Sequence, residues 1–362
     1  MTARALVLVA PTRLEEREFP LPAIGDADGL LRVEAAGICG TDVQQYRGRL
    51  GGVPCVTPVI PGHEIVGRVE RAGADALLRW GVAIGDRVLV EEVLRCGDCS
   101  ACATGARGCE RMRVYGLTVT IDEPPGLWGG YSTHLYLAPT VDLHRVPDGV
   151  EPAVAVLAMP VANGLRWAGA LPGTPPGASV VILGPGQQGL GCAVGALVAG
   201  AGTVIVVGRA IDHRRLEMAR ELGAHHTVDA DATDPVAAVR ELCHGSGADV
   251  VIDATAEAVK AVTQAIDMCA TGGTVVLAGL KGSAPIPGLV SDTIVLKGLR
   301  ILGAGGHDHA SVDAALRLLA SGRFPLERMA THAYPLAEAE HALRVVAREV
   351  KGEKPIHVSL IP

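Results

Sequence analysis

Four cysteines stand within the 14 residues from Cys96 to Cys109, spaced Cys96-x2-Cys99-x2-Cys102-x6-Cys109. Thiolates at such spacing can surround one tetrahedral zinc ion and leave it no open position, which is the structural kind of zinc site. The segment is rich in glycine, with Gly97, Gly105 and Gly108 among the ligands, and so reads as turns. Four free or buried thiols would be a poor account of that clustering. The site predicts a metal-stabilised lobe over residues 94–112 that does no chemistry itself.

A second set is sparser. It consists of Gly37-Ile38-Cys39-Gly40-Thr41-Asp42 and Pro61-Gly62-His63-Glu64. One thiolate, one imidazole and one carboxylate suit a catalytic zinc that keeps a position open for substrate. A lone Cys and a lone His are more often core residues than ligands. Their glycine-flanked setting is what marks them, because it exposes side chains at the ends of strands or loops.

A third pattern points to a dinucleotide. Val180–Leu183 reads as a strand and runs into Gly184-Pro185-Gly186-Gln187-Gln188-Gly189, a G-x-G-x-x-G that opens a helix. Gly184 permits the tight turn, Gly186 lets the pyrophosphate approach the backbone, and Gly189 lets helix and strand pack closely. Gln187 and Gln188 open the helix, whose first N–H groups and positive dipole end suit phosphates. The next strand, Thr203–Val207, ends in Gly208 and Arg209, with Arg214 and Arg215 close behind and Asp212 the nearest acid. A carboxylate at that tip would grip the ribose 2′-hydroxyl of NAD(H), whereas an arginine accommodates the 2′-phosphate of NADP(H). NADP(H) is therefore expected in preference to NAD(H), the alternative being that these arginines are solvated charges at the helix start and the pocket takes NAD(H).

The elements that must hold these groups follow from pattern. Residues 1–150 carry short β-branched runs between turn signals, at Ala5–Val9, Gly29–Ala35, Gly67–Arg71, Asp86–Val90 and Tyr131–Leu137, and predict a β-rich, barrel-like domain. From Ala178 the pattern alternates. Strands Ala178–Leu183, Thr203–Val207, Val250–Asp253, Thr274–Ala278 and Arg300–Gly303 stand among helices such as Gly189–Ala199 and Asp212–Leu222. Such alternation predicts βαβ units and a parallel sheet. Helices Ser311–Ala320 and Leu336–Ala347 and a closing strand Ile356–Ile361 complete the chain, with a hinge near Glu151–Pro160.

Composition narrows the partners. The 362 residues are 49% hydrophobic and 20% charged, enough for two domains with their own cores. The net charge of −7 is spread out, with no long basic run, which argues against nucleic acid and against an anionic membrane. The short apolar run Ala5–Ala10 is too brief for a signal sequence or a span. An odd cysteine total of nine, clustered and without an export signal, favours metal over disulfides. The expected setting is cytoplasmic.

In order and spacing, the Gly37–Asp42 segment, the Gly62-His63-Glu64 triplet, the four-cysteine lobe and the Gly184 fingerprint resemble the zinc-containing medium-chain alcohol dehydrogenases, over essentially the whole chain. The resemblance implies an α/β fold in which a Rossmann doubly wound parallel sheet accompanies a β-rich, GroES-like catalytic domain. The expected division is residues 1–152 with 296–362 for the catalytic domain and 153–295 for the Rossmann domain. It implies that Cys39 and His63 hold a catalytic zinc, with Glu64 an alternating ligand. Thr41 would shuttle the substrate proton, and Asp42 would partner the metal-bound imidazole. Homodimers or homotetramers are implied too, with the strand near Leu299–Gly303 pairing across a twofold axis.

Three positions depart from that pattern. Met159 stands where the family has a fourth Cys or Glu ligand, five residues before Gly164. Gln44 replaces the histidine that often ends the proton relay, and the loop from Cys102 to Cys109 is one residue short. The leading expectation is a zinc-dependent oxidoreductase that transfers a hydride between a nicotinamide cofactor and a small alcohol or a ketone or aldehyde. The competing reading is a zinc-poor NADPH-dependent reductase of an enone or quinone, and a third is a dinucleotide-sensing protein without activity. Persistence of Cys39 and His63 opposes the second reading, and intact Thr41 and Asp42 oppose the third. Tyr46, Leu50, Trp128 and Met159 are open to two readings, as pocket lining or as ordinary core.

Overall fold

The computed structural model describes residues 1–50, 55–104 and 109–362. Gly105 and Gly108 of the cysteine lobe lie outside the described residues. The chain divides into two compact units, Met1–Leu157 with Ala330–Pro362, and Ala158–Met329.

The first unit opens with the hairpin β1 (Thr2–Ala10) and β2 (Arg13–Pro20). Next come β3 (Gly29–Ile38), α1 (Gly40–Tyr46), β4 (Glu64–Ala72), α2 (Ala74–Trp80) and β5 (Arg87–Val90). The short ribbon β6 (Val93–Leu94) and its partner β7 (Arg113–Val114) flank α3 (Ser100–Ala103). Strands β8 (His134–Leu137) and β9 (Leu143–Arg145) lead to α4 (Pro152–Ala155). Alternating residues of β3 and β4, among them Leu31, Val33, Ile65 and Val69, fill a core with Trp128 and Leu135, as period-two side chains facing one core must.

The second unit begins with α5 (Ala158–Leu165), β10 (Ser179–Leu183), α6 (Gln187–Val198), β11 (Thr203–Gly208) and α7 (His213–Glu221). It continues with β12 (His226–Asp229), α8 (Pro235–Leu242), β13 (Ala248–Asp253), α9 (Lys260–Met268) and β14 (Cys269–Leu277), and ends with α10 (Ser291–Lys297), β15 (Arg300–Gly303) and α11 (His309–Ser321). Its six strands are all parallel, in the order β12-β11-β10-β13-β14-β15. Counted within the unit this is 3-2-1-4-5-6, the order of a doubly wound sheet such as the family resemblance implies. Strand order reverses between β10 and β13, which is where such sheets bind ligands. Glycine closes the packing: a Cβ on Gly164 of α5 would overlap the Gly191 carbonyl of α6, and one on Gly195 would overlap the Gly164 carbonyl. The run Pro152–Ala170 has the length and composition to cross a membrane, but 61% of its apolar window is buried within the protein.

The chain returns to the first unit through β16 (Ala330–Pro335), α12 (Ala339–Val346) and β17 (His357–Ile361). Strand β17 lies antiparallel to β3, pairing Val358 with Ile38 and Leu360 with Ala36. The first unit's main sheet therefore runs β16-β17-β3-β4-β5-β9, with β8 added on β3.

Two boundaries differ from the sequence reading. The return comes at Ala330 and not at residue 296, because β15 extends the parallel sheet beside β14 and α11 packs on α5. The first exit comes after Leu157 and not at residue 152, because α4 packs on β3 and β4.

Candidate active site and cofactor crevice

Strands β3 and β4 are antiparallel neighbours in which Gly37 pairs with Glu64. That register brings the residues just beyond the pair, Cys39 and His63, together although 24 positions separate them in sequence, with Cys39 Sγ and His63 Nε2 3.2 Å apart. Cys39 also begins α1, its sulfur accepting the Thr41 N–H at 3.2 Å, while Asp42 Oδ2 accepts the Cys39 N–H at 2.8 Å. The second Asp42 oxygen lies 3.4 Å from His63 Nδ1. One buried carboxylate thus holds the Cys39 backbone and the far side of the His63 ring, leaving Sγ and Nε2 facing each other.

Such a pair fits a zinc ion, whose bond lengths to sulfur and nitrogen place tetrahedral ligand atoms about 3.5 Å apart. Burial pushes the Cys39 thiol up. Burial works against protonation of His63, and the neighbouring Cys39 and Asp42 outweigh it, so the imidazole is more basic than usual. A proton shared between this sulfur and nitrogen is what a bound metal would displace.

Cys39, Asp42 and His63 have ligand atoms within 4.8 Å of one another. Glu64 stands apart from that group: its Oε2 is 3.5 Å from Nε2 of the buried His357 on β17. Both side chains occupy the space over Gly37, where a Cβ would overlap Glu64 Oε2 and meet His357 Nε2 at 3.1 Å. Tyr131 is fully buried with its ring against Gly62, which takes φ +92°. Burial first, then the charge of Asp42, pushes its phenol well up. Sequence spacing did not single out His357 or Tyr131. The pairing of β17 with β3 brings the first to the site, and the second depends on a glycine that only the fold shows to be pressed by a ring.

The remaining expectations in this unit fall as follows. Thr41 and Gln44 both lie on α1, partly exposed. Trp128 is core, its indole N–H donated to the Glu123 carbonyl at 2.8 Å and its ring against Tyr115 and Tyr136. The Tyr46 hydroxyl donates to the Thr12 carbonyl at 3.1 Å, and Leu50 is buried.

Sulfur atoms of Cys96, Cys99, Cys102 and Cys109 also converge within 4.8 Å. Cys96 and Cys102 are 3.9 Å apart, close to the edge of about 3.8 Å that four thiolates around zinc would have. Cys99 caps α3, and N–H groups of Glu110 and Cys102 lower its thiol to about 6. That favours the thiolate a zinc ligand must be.

In the second unit the fingerprint glycines meet separate demands. Gly184 takes φ +92° at the end of β10, and a Cβ on Gly189 would overlap the Gly184 carbonyl oxygen. A Cβ on Gly186 would meet nothing within 4 Å, and Gly186, the N-cap of α6, has no side chain of its own to cap the helix. That open cradle at a helix N-terminus fits a pyrophosphate. Gln187 and Gln188 form the first turn of α6, and Gln188 accepts from the Asn163 amide at 3.1 Å.

Arg209 stands at the β11 tip with its side chain 70% exposed. Arg214 is directed down α7, where it pairs with Glu217 and Glu221 at 3.7 and 3.2 Å. Met159 is buried on α5.

Residues 25–148 match the model of the alcohol dehydrogenase GroES-like domain, and residues 189–321 that of the zinc-binding dehydrogenases. The chain is 46% identical over 365 residues to a probable alcohol dehydrogenase of Mycobacterium tuberculosis, covering 99% of this chain and 98% of that protein. It is 33% identical to an erythritol/L-threitol dehydrogenase of Mycolicibacterium smegmatis, covering 97% and 94%. Among solved structures it is similar to an alcohol dehydrogenase of Thermotoga maritima, with a TM-score of 0.88, 29% identity and full coverage of both chains. A Sinorhizobium meliloti chain solved with NADP is similar as well, with a TM-score of 0.87, 28% identity and full coverage of both.

Proposed function

The chain belongs to the zinc-containing medium-chain dehydrogenase family, and from that premise we propose that it interconverts a small alcohol with the matching ketone or aldehyde, using NADP(H) in preference to NAD(H). The observation that carries this reading is the buried Cys39–His63 pair, 3.2 Å apart and fixed from behind by Asp42. An enone or quinone reductase without zinc chemistry has no use for that arrangement.

Bound zinc supplies Lewis acidity to the substrate oxygen, much as it lowers the pKa of water from about 16 to about 7, and the nicotinamide takes or returns the two electrons. Cys39 and His63 would hold the metal, with Glu64, the residue next to His63, as the third ligand. Met159 is not counted as a ligand, since a neutral thioether suits Cu(I) better than Zn²⁺. Asp42 keeps the His63 tautomer that offers Nε2 outward. The Thr41 hydroxyl takes the alcohol proton. Gln44, three residues further along α1, has no titratable group and cannot take the proton on from Thr41. The four-cysteine lobe holds a second zinc for stability.

Gly184, Gly186 and Gly189 with the first turn of α6 seat the pyrophosphate, and Arg209 pairs with the 2′-phosphate. The chain works as a homodimer or homotetramer through the β15 edge. Support for this comes from β15 lying at the end of its sheet and from the exposed Val295 and Leu296 of the adjacent α10, an apolar surface next to open backbone groups.

Turnover of a panel of alcohols, polyols, aldehydes and enones, with and without chelator, tests the reading. Alcohol oxidation lost on zinc removal supports it. Enone reduction indifferent to chelator would replace it with the zinc-poor reductase.

A further inference from the structure

Asp231 reaches the β11 tip from the turn after β12, the neighbouring strand, where Gly208 pairs with Asp229. Its Oδ1 lies 3.2 Å from Arg209 Nε, and its Oδ2 accepts the Ala210 N–H at 3.1 Å. Its own N–H is donated to Asp229 Oδ1 at 2.9 Å, which fixes the turn. The Ala210 N–H first, and the guanidinium second, hold this carboxyl below the usual range, so it is charged at neutral pH. Apart from that contact, Arg209 makes no side-chain hydrogen bond or ion pair among the described residues.

Two other places for an acid are already taken. A Cβ on Gly208 would stand 2.8 Å from Pro185 Cγ of the fingerprint loop and 3.1 Å from Leu216 Cδ2, so the strand end itself has no room for a carboxylate. Asp212 is buried beneath the loop, accepting the Arg209 N–H at 3.0 Å. Asp231, 41% exposed, is the acid that remains at the surface of the tip.

We propose that Arg209 and Asp231 form one cofactor discriminator, in which Arg209 takes the 2′-phosphate of NADP(H) and Asp231 takes the 2′-hydroxyl of NAD(H), so that the chain binds both and prefers NADP(H) only weakly. The inference deepens the cofactor reading above and rests on it. A 2′-phosphate held by the Arg209 guanidinium would also meet the Asp231 carboxylate 3.2 Å from it, well inside the screening length of about 8 Å. The carboxylate opposes the phosphate while offering the hydroxyl the acceptor that a strand-tip acid usually supplies. The terminal nitrogens of Arg209 remain available for a phosphate.

Equilibrium titration of NADPH and of NADH, followed by calorimetry, tests this on the wild-type protein and two variants. The wild type should favour NADPH by less than about tenfold, below what a full charge-assisted contact alone would give. Asp231→Asn keeps an acceptor for the Ala210 N–H, and its melting temperature should match the wild type. It should tighten NADPH about three- to tenfold and weaken NADH by a similar factor. Arg209→Ala should weaken NADPH and leave NADH unchanged. A normally folded Asp231→Asn protein whose two affinities both stay within about twofold of wild type, or whose NADPH binding weakens, would overturn the discriminator while leaving the dehydrogenase reading intact. Wild-type protein that bound neither nucleotide would overturn that reading and this inference together.

Discussion

Cys39 Sγ stands 3.2 Å from His63 Nε2, and Asp42 reaches both residues, accepting the Cys39 N–H and facing His63 Nδ1. Asp42→Asn should therefore disturb the site without touching the metal directly. Groups that orient a metal-bound histidine typically account for about 10- to 100-fold in metal affinity or activity. We expect zinc retention at this site and kcat/KM to fall by that order, with the lobe zinc unaffected. Metal analysis of the dialysed variant beside its kinetics checks this, and full zinc content with wild-type kinetics would remove Asp42 from the account.

The lobe is expected to act on stability. Cys99 both caps α3 and stands among the four converging sulfurs. Cys99→Ser should release one zinc and lower the melting temperature or the soluble yield, because metal-binding free energy at such a site is folding free energy. Thermal melts with and without chelator report it. A variant with unchanged metal content and an unchanged melt would contradict the assignment.

The fingerprint glycines predict two different failures. A Cβ on Gly186 meets open space, whereas one on Gly189 overlaps the Gly184 carbonyl. Gly186→Val should fold with a melting temperature within about 2 °C of wild type yet bind nucleotide at least about tenfold more weakly. Gly189→Val should fail at the level of folding. Calorimetry together with melts separates the two, and tight nucleotide binding by Gly186→Val would show that the phosphates lie elsewhere.

On α10, Val295 and Leu296 are 74% and 83% exposed, next to the sheet edge β15. Large apolar side chains left open beside an unpaired strand edge suit contact with a second copy. The assembly proposed through this edge predicts monomers for Val295→Asp with Leu296→Asp. Light scattering on the eluted protein measures it, and a wild-type chain that is already monomeric would exclude this interface.

Much of this was legible because periodicity and glycine spacing carry local rules. The G-x-G-x-x-G turn and its strand follow from what three glycines permit, and the parallel sheet follows from alternation. Strand β12 was not legible: it is the four polar-leaning residues His226–Asp229 at a sheet edge, with only Val228 buried. Missing it hid Asp231, which the next turn delivers to the β11 tip. Strand β15 was legible at its observed bounds, Arg300–Gly303, and only the domain boundary drawn at residue 296 set it apart from the sheet it joins. The contacts behind the site are tertiary. His357 lies 293 positions from Glu64 and meets it only because β17 pairs with β3. No spacing rule reports such a contact.

Cys39, His63 and Glu64 are proposed to hold a zinc distinct from the one in the lobe, and zinc counted per chain in active, fully loaded protein separates the two sites. Two zinc ions per chain are expected, one for Glu64→Gln with turnover abolished, and two for Met159→Leu with turnover largely kept. One zinc per chain in fully active wild-type protein would contradict it.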